Sequence, residues 1–294
     1  MKQKAQTCLF LSVCAALTSL VLSVLPVRCD TGVQVYDDER AADALKVLFI
    51  GNSYTFANDM PKIFASLVRS ANSNKSLKVY MAAFPSYTLD EHIQDHRTVQ
   101  ALEREGPWDF VVLQERSYYP LTQAAQMETA CLELDRKIRA VGARTVLLET
   151  WADENAPQAQ EAINGVYRKI ARRLNATVIA AGEAWPAATK AGRLYSEDGH
   201  HPSVAGSFLV ACAAYKALVG KDPRNLPTET ESSLAVPLGF ARQIKQCVST
   251  ATEASAANVR GGAAGANADR HNSGGSARNS AAPGQSKGVQ TFRW

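Results

Sequence analysis

Two short blocks in this chain carry the residue types that nucleophilic catalysis needs. Gly51-Asn52-Ser53-Tyr54-Thr55 places a serine directly after a short β-rich run, and Asp198-Gly199-His200-His201-Pro202-Ser203 places an acid and an imidazole three positions apart. A serine hydroxyl is a poor nucleophile until a neighbouring base takes its proton. An aspartate and a histidine on one turn can lie side by side, the carboxylate accepting from one ring nitrogen while the other nitrogen faces a hydroxyl. Each block also has a plainer reading. Gly51 to Thr55 fits an ordinary strand-to-helix turn in which Asn52 and Ser53 bond local backbone, and Asp198 fits an Asx-turn with both histidines at the surface. His200 is the rival base, two residues from Asp198.

The elements that would have to position these residues follow from periodicity. β-rich runs stand at Lys46 to Ile50, Leu77 to Ala83, Trp108 to Gln114, Arg144 to Thr150 and Thr177 to Ala180, and longer segments of helical period separate them. One helix follows Asp59 as N-cap, with Pro61 in its first turn and Ile63, Phe64, Leu67 and Val68 on one face. Thr88-Leu89-Asp90-Glu91 reads as a capping box that opens a helix reaching about Glu105. Further helices are expected from Gln123 to Val141, from Gln158 to Leu174 and from Ser203 to Gly220. Five strands joined by helical crossovers imply a parallel sheet covered on both faces, a three-layer α/β/α sandwich. In such a sheet the ligand site lies at the carboxyl ends of the strands. Gly51-Asn52-Ser53, Gln114 and Thr150-Trp151 all fall there.

Taken together, the two blocks resemble the first and last blocks of the SGNH (GDSL-like) hydrolases. The first is in the variant with Asn52 where many members have aspartate. Val111 to Ser117 and the Asp-Gly-x-His-Pro-Ser pattern are similar to a less characterised bacterial branch of that superfamily, and the resemblance covers about Lys46 to Gly220. It implies a flavodoxin-like fold with a five-stranded parallel sheet, and ester hydrolysis through an acyl-enzyme without metal or organic cofactor. Ser53 would be the nucleophile, His201 the base and Asp198 its orienter, the family spacing selecting His201 over His200. The oxyanion hole implied is the Ser53 N–H with Ser86 and Gln114. There the chain departs from the family, because Phe84-Pro85-Ser86 stands where a glycine is common and Gln114 where an asparagine is common. Pro85 has no N–H to give.

The 294 residues are 46% hydrophobic and 20% charged, enough for one well-buried domain with segments to spare. Lys+Arg of 32 against Asp+Glu of 28 leaves +4, part of it at the two ends, which gives no argument for nucleic acid as a partner. Lys2 and Lys4 precede an apolar run from Cys8 to Val27, so residues 1–29 are expected to be an export signal or an uncleaved N-terminal anchor. The product would be exported, with the membrane touched only through that segment. A linker is expected over 30–45, the catalytic domain over 46–247, and a low-complexity tail over 248–294, rich in Ala, Gly, Ser and Asn and too poor in apolar residues to order itself. Outside the N-terminal run lie Cys29, Cys131, Cys212 and Cys247, without zinc-type spacing. Cys131 and Cys212 read as small core residues.

Three rival functions fit parts of the same sequence. His92 and His96, with Asp95 beside them, stand at helical spacing for a metal hydrolase, although a solvated charged face is the plainer reading. A non-catalytic module could hold a carbohydrate or an anion on the Gly51 to Thr55 loop. An O-acyltransferase could use the same triad. The substrate expected is a small-molecule or carbohydrate ester, with small acyl groups such as acetyl favoured. Trp108, Trp151 and Trp185 would either line a sugar cleft or form core rim.

Overall fold

The computed structural model describes the backbone of residues 34–38 and the whole of residues 44–72, 76–228 and 232–251. The expected signal or anchor over 1–29 and most of the expected tail lie outside the described residues. In chain order the strands are β1 (Gln34–Asp38), β2 (Leu45–Gly51), β3 (Leu77–Ala83), β4 (Phe110–Leu113), β5 (Arg144–Leu148) and β6 (Thr177–Ile179). The α-helices are α1 (Ser53–Phe56), α2 (Met60–Ala71), α3 (Leu89–Gln94), α4 (His96–Arg104), α5 (Tyr119–Thr122), α6 (Ala124–Ala140), α7 (Gln160–Leu174), α8 (Ala181–Ala188) and α9 (Val204–Val219). Residues 238–251 form a further helix.

The sheet order is β1-β3-β2-β4-β5-β6. Strands β2 to β6 are the five parallel strands expected, and β1 adds an antiparallel edge on β3, from Gln34 opposite Met81 to Asp38 opposite Leu77. That strand falls in the segment read as a linker, because five residues at a sheet edge have too little pattern to announce themselves. Alternate residues of β2 serve opposite faces. Val47 and Phe49 join the apolar layer with α2, α8 and α9, while Leu48 and Ile50 join the layer with α3, α4, α6 and α7. Both faces of the strand are covered by apolar side chains, as a central parallel strand requires. The helix over 238–251 seals the first layer with Ala241, Ile244, Val248 and Ala251, so order continues past the expected boundary at 247.

Local chemistry sets the helix ends. Thr88 and Glu91 form the reciprocal capping box, Ser203 caps α9 by accepting from Gly206 N–H at 3.2 Å, and Gly220 ends α9 at φ 74°. The helix expected from Thr88 to Glu105 is instead two helices. Asp95 leaves the helical region, at φ −74° and ψ 119°, and caps α4 by accepting from the N–H groups of Arg97 and Thr98. Asp59 stands at the N-cap position of α2 but makes no cap bond. It is left-handed at φ 53°, and its carboxylate bonds Lys62 Nζ instead, at 3.1 Å. Cys131 and Cys212 are buried in the core, and Cys247 is half-buried.

Two carboxyl groups are buried at the carboxyl edge of the sheet. Burial pushes Glu149 up to about 8, against the opposing bond from the Glu183 N–H, and pushes Glu115 up to about 7, against bonds from the N–H groups of Arg116 and Leu89. A carboxyl raised on folding stays protonated in the folded state while the unfolded chain has already ionised, so stability falls as pH rises from about 4.5 toward the folded value. Urea denaturation of wild type against Glu149→Gln, from pH 4.5 to 8, is expected to show wild type losing a few kcal/mol relative to the variant across that window. Parallel pH profiles would show that Glu149 ionises alike in both states.

Candidate active site

The serine is presented by a knot of buried polar groups between the ends of β2 and β4. Gly51 closes β2, and a Cβ there would meet Gln114 Oε1 at 2.5 Å and Thr55 Oγ1 at 2.6 Å, so only glycine lets the Gln114 carboxamide come this near. Gln114 Oε1 accepts from the Asn52 N–H at 2.9 Å and the Thr55 hydroxyl at 2.8 Å. Its Nε2 donates to Asn52 Oδ1 at 2.9 Å and to the Glu115 carbonyl at 2.6 Å. Asn52 is the N-cap of α1, accepting from the Tyr54 N–H at 3.1 Å while its own amide donates to the Tyr87 carbonyl at 2.9 Å. Ser53 is therefore the first residue of a one-turn helix whose entry is fixed on both sides. Its N–H has no intrahelical acceptor at that position.

His201 arrives on the turn before α9. Asp198 Oδ1 accepts from the Ser196 hydroxyl at 2.7 Å and from the N–H groups of His200 and His201, each at 3.0 Å, so the Asx-turn foreseen as the plainer reading is present. The other carboxylate oxygen, Oδ2, meets His201 Nδ1 at 2.6 Å. One side chain thus shapes the turn and orients the ring. Gly199, at φ 75°, supplies the left-handed step between them. The turn is held from three sides. Ser196 N–H donates to the His201 carbonyl at 2.9 Å, Trp151 Nε1 to the His200 carbonyl at 2.9 Å, and Asn58 Nδ2 to the Pro202 carbonyl at 2.9 Å.

His201 Nε2 lies 2.9 Å from Ser53 Oγ. An ionised carboxylate only accepts, so the Nδ1 proton belongs to His201 and its Nε2 lone pair faces the serine hydroxyl. Desolvation works to raise the Asp198 pKa, but the bonds from the His200 N–H, the His201 ring, the Ser196 hydroxyl and the His201 N–H hold it well below the usual carboxylate range. The carboxyl that orients the His201 ring is thus unusually acidic. Ser53, His201 and Asp198, singled out in the sequence, are brought together. His200 is not brought to the serine, since its ring packs 4.4 Å from that of His201 with its Nε2 3.6 Å from Asp198 Oδ2.

The other two residues assigned to the oxyanion hole fare differently. Phe84-Pro85-Ser86-Tyr87 forms a turn closed by Tyr87 N–H to the Phe84 carbonyl at 3.2 Å, with Pro85 at its second position and Ser86 at its third at φ 62°. That is type II geometry, whose third position needs a positive φ and so suits glycine better than serine. The closing bond leaves the Ser86 N–H outside it, and Phe84 N–H to the Gly51 carbonyl together with Asn52 Nδ2 to the Tyr87 carbonyl clamp the turn beside the serine loop. Gln114 does not face a substrate. It is 1% exposed and both protons of its amide nitrogen are already donated, so it braces the loop instead of lining the hole.

The rival metal set dissolves. His92 is buried and spans Thr98 Oγ1 at 2.7 Å and the Gly51 carbonyl at 2.8 Å, burial pulling its pKa down to about 4 despite the bond to that carbonyl. His96 belongs to the next helix, beyond the break at Asp95. Trp108, Trp151 and Trp185 are 3%, 1% and 1% exposed and belong to the core, Trp151 stacking between Tyr54 at 4.6 Å and Trp185 at 4.0 Å. Sequence reasoning missed Asn58 and the role of His92. An asparagine just before the Pro61 helix and an imidazole at an apolar helix position were the available signals.

No protein-family model matches the chain, and neither does any curated protein. Solved structures do. A protein assigned to the SGNH hydrolases from Slackia heliotrinireducens is 29% identical, with a TM-score of 0.50 over 59% of this chain and 98% of that one. A DUF4886 family protein from Bacteroides uniformis is 20% identical, with a TM-score of 0.57 over 71% and 95%. An alpha/beta hydrolase enzyme from the metagenome of Lake Arreo, Spain, is 15% identical, with a TM-score of 0.52 over 60% and 96%. The fold of the chain is the α/β fold of the SGNH hydrolases, a five-stranded parallel sheet with helices on both faces.

The knot around Gly51 makes a prediction of its own. Gly51→Ala forces a methyl group against two buried polar side chains and is expected to lower stability by about 1–3 kcal/mol in urea denaturation. Gly165→Ala, in the interior of α7 with nothing within 4 Å of its added Cβ, is expected to raise stability by roughly 0.5–1 kcal/mol. Equal effects at the two sites would mean that the approach of Gln114 to Gly51 is not tight.

Proposed function

We propose that the chain is an exported carboxylic-ester hydrolase that works through an acyl-enzyme on Ser53. The observation that carries this reading is the continuous relay from Asp198 through His201 to Ser53, with contacts of 2.6 and 2.9 Å. Ser53 Oγ attacks the ester carbonyl while its proton passes to His201 Nε2. The imidazolium is stabilised by Asp198, which stays ionised. Charge accumulating on the carbonyl oxygen meets the N–H groups of Ser53 and Ser86, each donor of this kind contributing about 3 kcal/mol to the transition state. His201 then returns the proton to the departing alkoxide, and a water activated by the same ring releases the acid and restores Ser53.

The substrate class we propose is esters of small acyl groups. The side chains of His201 and Asp198 remain 33% and 41% exposed, so the acyl moiety enters an open edge of the sheet and not a deep tunnel. An open edge also accepts a bulky alcohol, which favours acetyl esters of carbohydrates. The basic N-terminus followed by an apolar run supports export, where such esters would be met.

Hydrolysis of p-nitrophenyl acetate is expected to fall at least about 10⁴-fold in Ser53→Ala, and a fluorophosphonate probe is expected to modify Ser53. Ser86→Gly keeps the N–H and suits the positive φ, so its kcat should stay within about threefold of wild type. A folded protein that turns over no ester and carries no adduct at Ser53 would overturn the proposal.

A further inference from the structure

His200 has no part in the relay, yet it stands where it can intercept it. Asp198 Oδ2 is shared between His201 Nδ1 at 2.6 Å and His200 Nε2 at 3.6 Å, and one ligand atom from each of the three residues lies within 4.8 Å of the others. Two imidazoles and a carboxylate are the donor set that borderline transition metals select, and hard cations such as Ca²⁺ reject. Ligands of a tetrahedral Zn²⁺ with bonds of about 2.0 Å sit about 3.3 Å apart, so the site forms through small rotations of three side chains that are each about a third exposed or more. Asp153, Glu154 and Glu197 line, with Asp198, a hollow of about 410 Å³ that opens beside it and gives the approach a negative field.

We propose that Asp198, His200 and His201 form an inhibitory binding site for Zn²⁺ and similar cations, which silences the hydrolase by taking over the ligand atoms of its own relay. The inference rests on the reading of Ser53, His201 and Asp198 as a triad. The chemistry of inhibition follows from the tautomer. In the resting relay His201 carries its proton on Nδ1 and offers the Nε2 lone pair to Ser53. A metal on Nδ1 requires the lone pair there, so the single proton of the neutral ring moves to Nε2 and none is gained or lost. Nε2–H then donates to Ser53 Oγ, where before it accepted, and the serine has no base. Asp198, ligated to the cation, no longer orients the ring.

Calorimetric titration with ZnCl₂ separates this site from the catalytic reading. Wild type and Ser53→Ala are expected to bind about one Zn²⁺ per chain with similar affinity, His200→Gln at least about tenfold more weakly, and CaCl₂ is expected not to compete. In parallel, p-nitrophenyl acetate hydrolysis by wild type should be abolished by Zn²⁺ and restored by EDTA. His200→Gln should keep metal-free activity within about twofold and need at least about tenfold more Zn²⁺ for the same loss. Equal zinc affinity in wild type and His200→Gln overturns the site, and zinc binding without loss of turnover overturns the inhibition. Absence of any ester turnover counts against the triad reading alone, since the calorimetry on Ser53→Ala still decides whether the cation binds.

Discussion

The Gln114 carboxamide is the interaction on which the rest of the site depends. It uses both faces of one amide, two acceptances and two donations, to join the end of β4 to the first turn after β2. Buried polar groups are costly unless fully bonded, so a carboxamide at 1% exposure with all four bonds in place has no cheap alternative arrangement. That rigidity passes to Asn52, from Asn52 to the start of α1, and so to the direction in which Ser53 points. Gly51 is part of the same device, because any side chain would occupy the space that the carboxamide fills.

The two loops that meet at the site are organised by opposite means. The serine loop is buried and immobilised by side chains from neighbouring strands. The Asp198 turn lies at the surface and organises itself, one oxygen of Asp198 folding the turn while the other holds the ring. Few outside contacts join them, among them Asn58 to the Pro202 carbonyl and Trp151 to the His200 carbonyl. His92 adds support from below the sheet edge as a neutral strut to the Gly51 carbonyl, a task that a charged residue at that depth would perform poorly.

Much of this was legible in the chain before the fold was known, for reasons that can be named. Parallel strands buried on both faces leave unbroken apolar runs, and the five were found where such runs stand. The capping box at Thr88 and the stop at Gly220 are local events coded by local residues. What escaped was set by tertiary context. β1 pairs only because β3 offers an edge, and Asp95 breaks a helix because Arg97 and Thr98 give its carboxylate better use as a cap. Gln114 was read as a donor toward substrate because position at a strand end fixes which residues approach the site, but not which way an amide turns. The nearness of Asp198 to His201 was visible as spacing, whereas the double duty of Asp198 needed coordinates.

The contact between His201 and Ser53 closes a span of 148 residues. Closing so long a span costs chain entropy, which the packing of α2 against α9 on the same face must offset. Between the two residues lie the strands β3 to β6 and the helices that cross over them. The relay is therefore a coincidence detector for the entire topology. Whatever keeps α9 from docking also takes the turn before it away from Ser53, so a single distance of 2.9 Å reports on the whole order of the sheet and its crossovers.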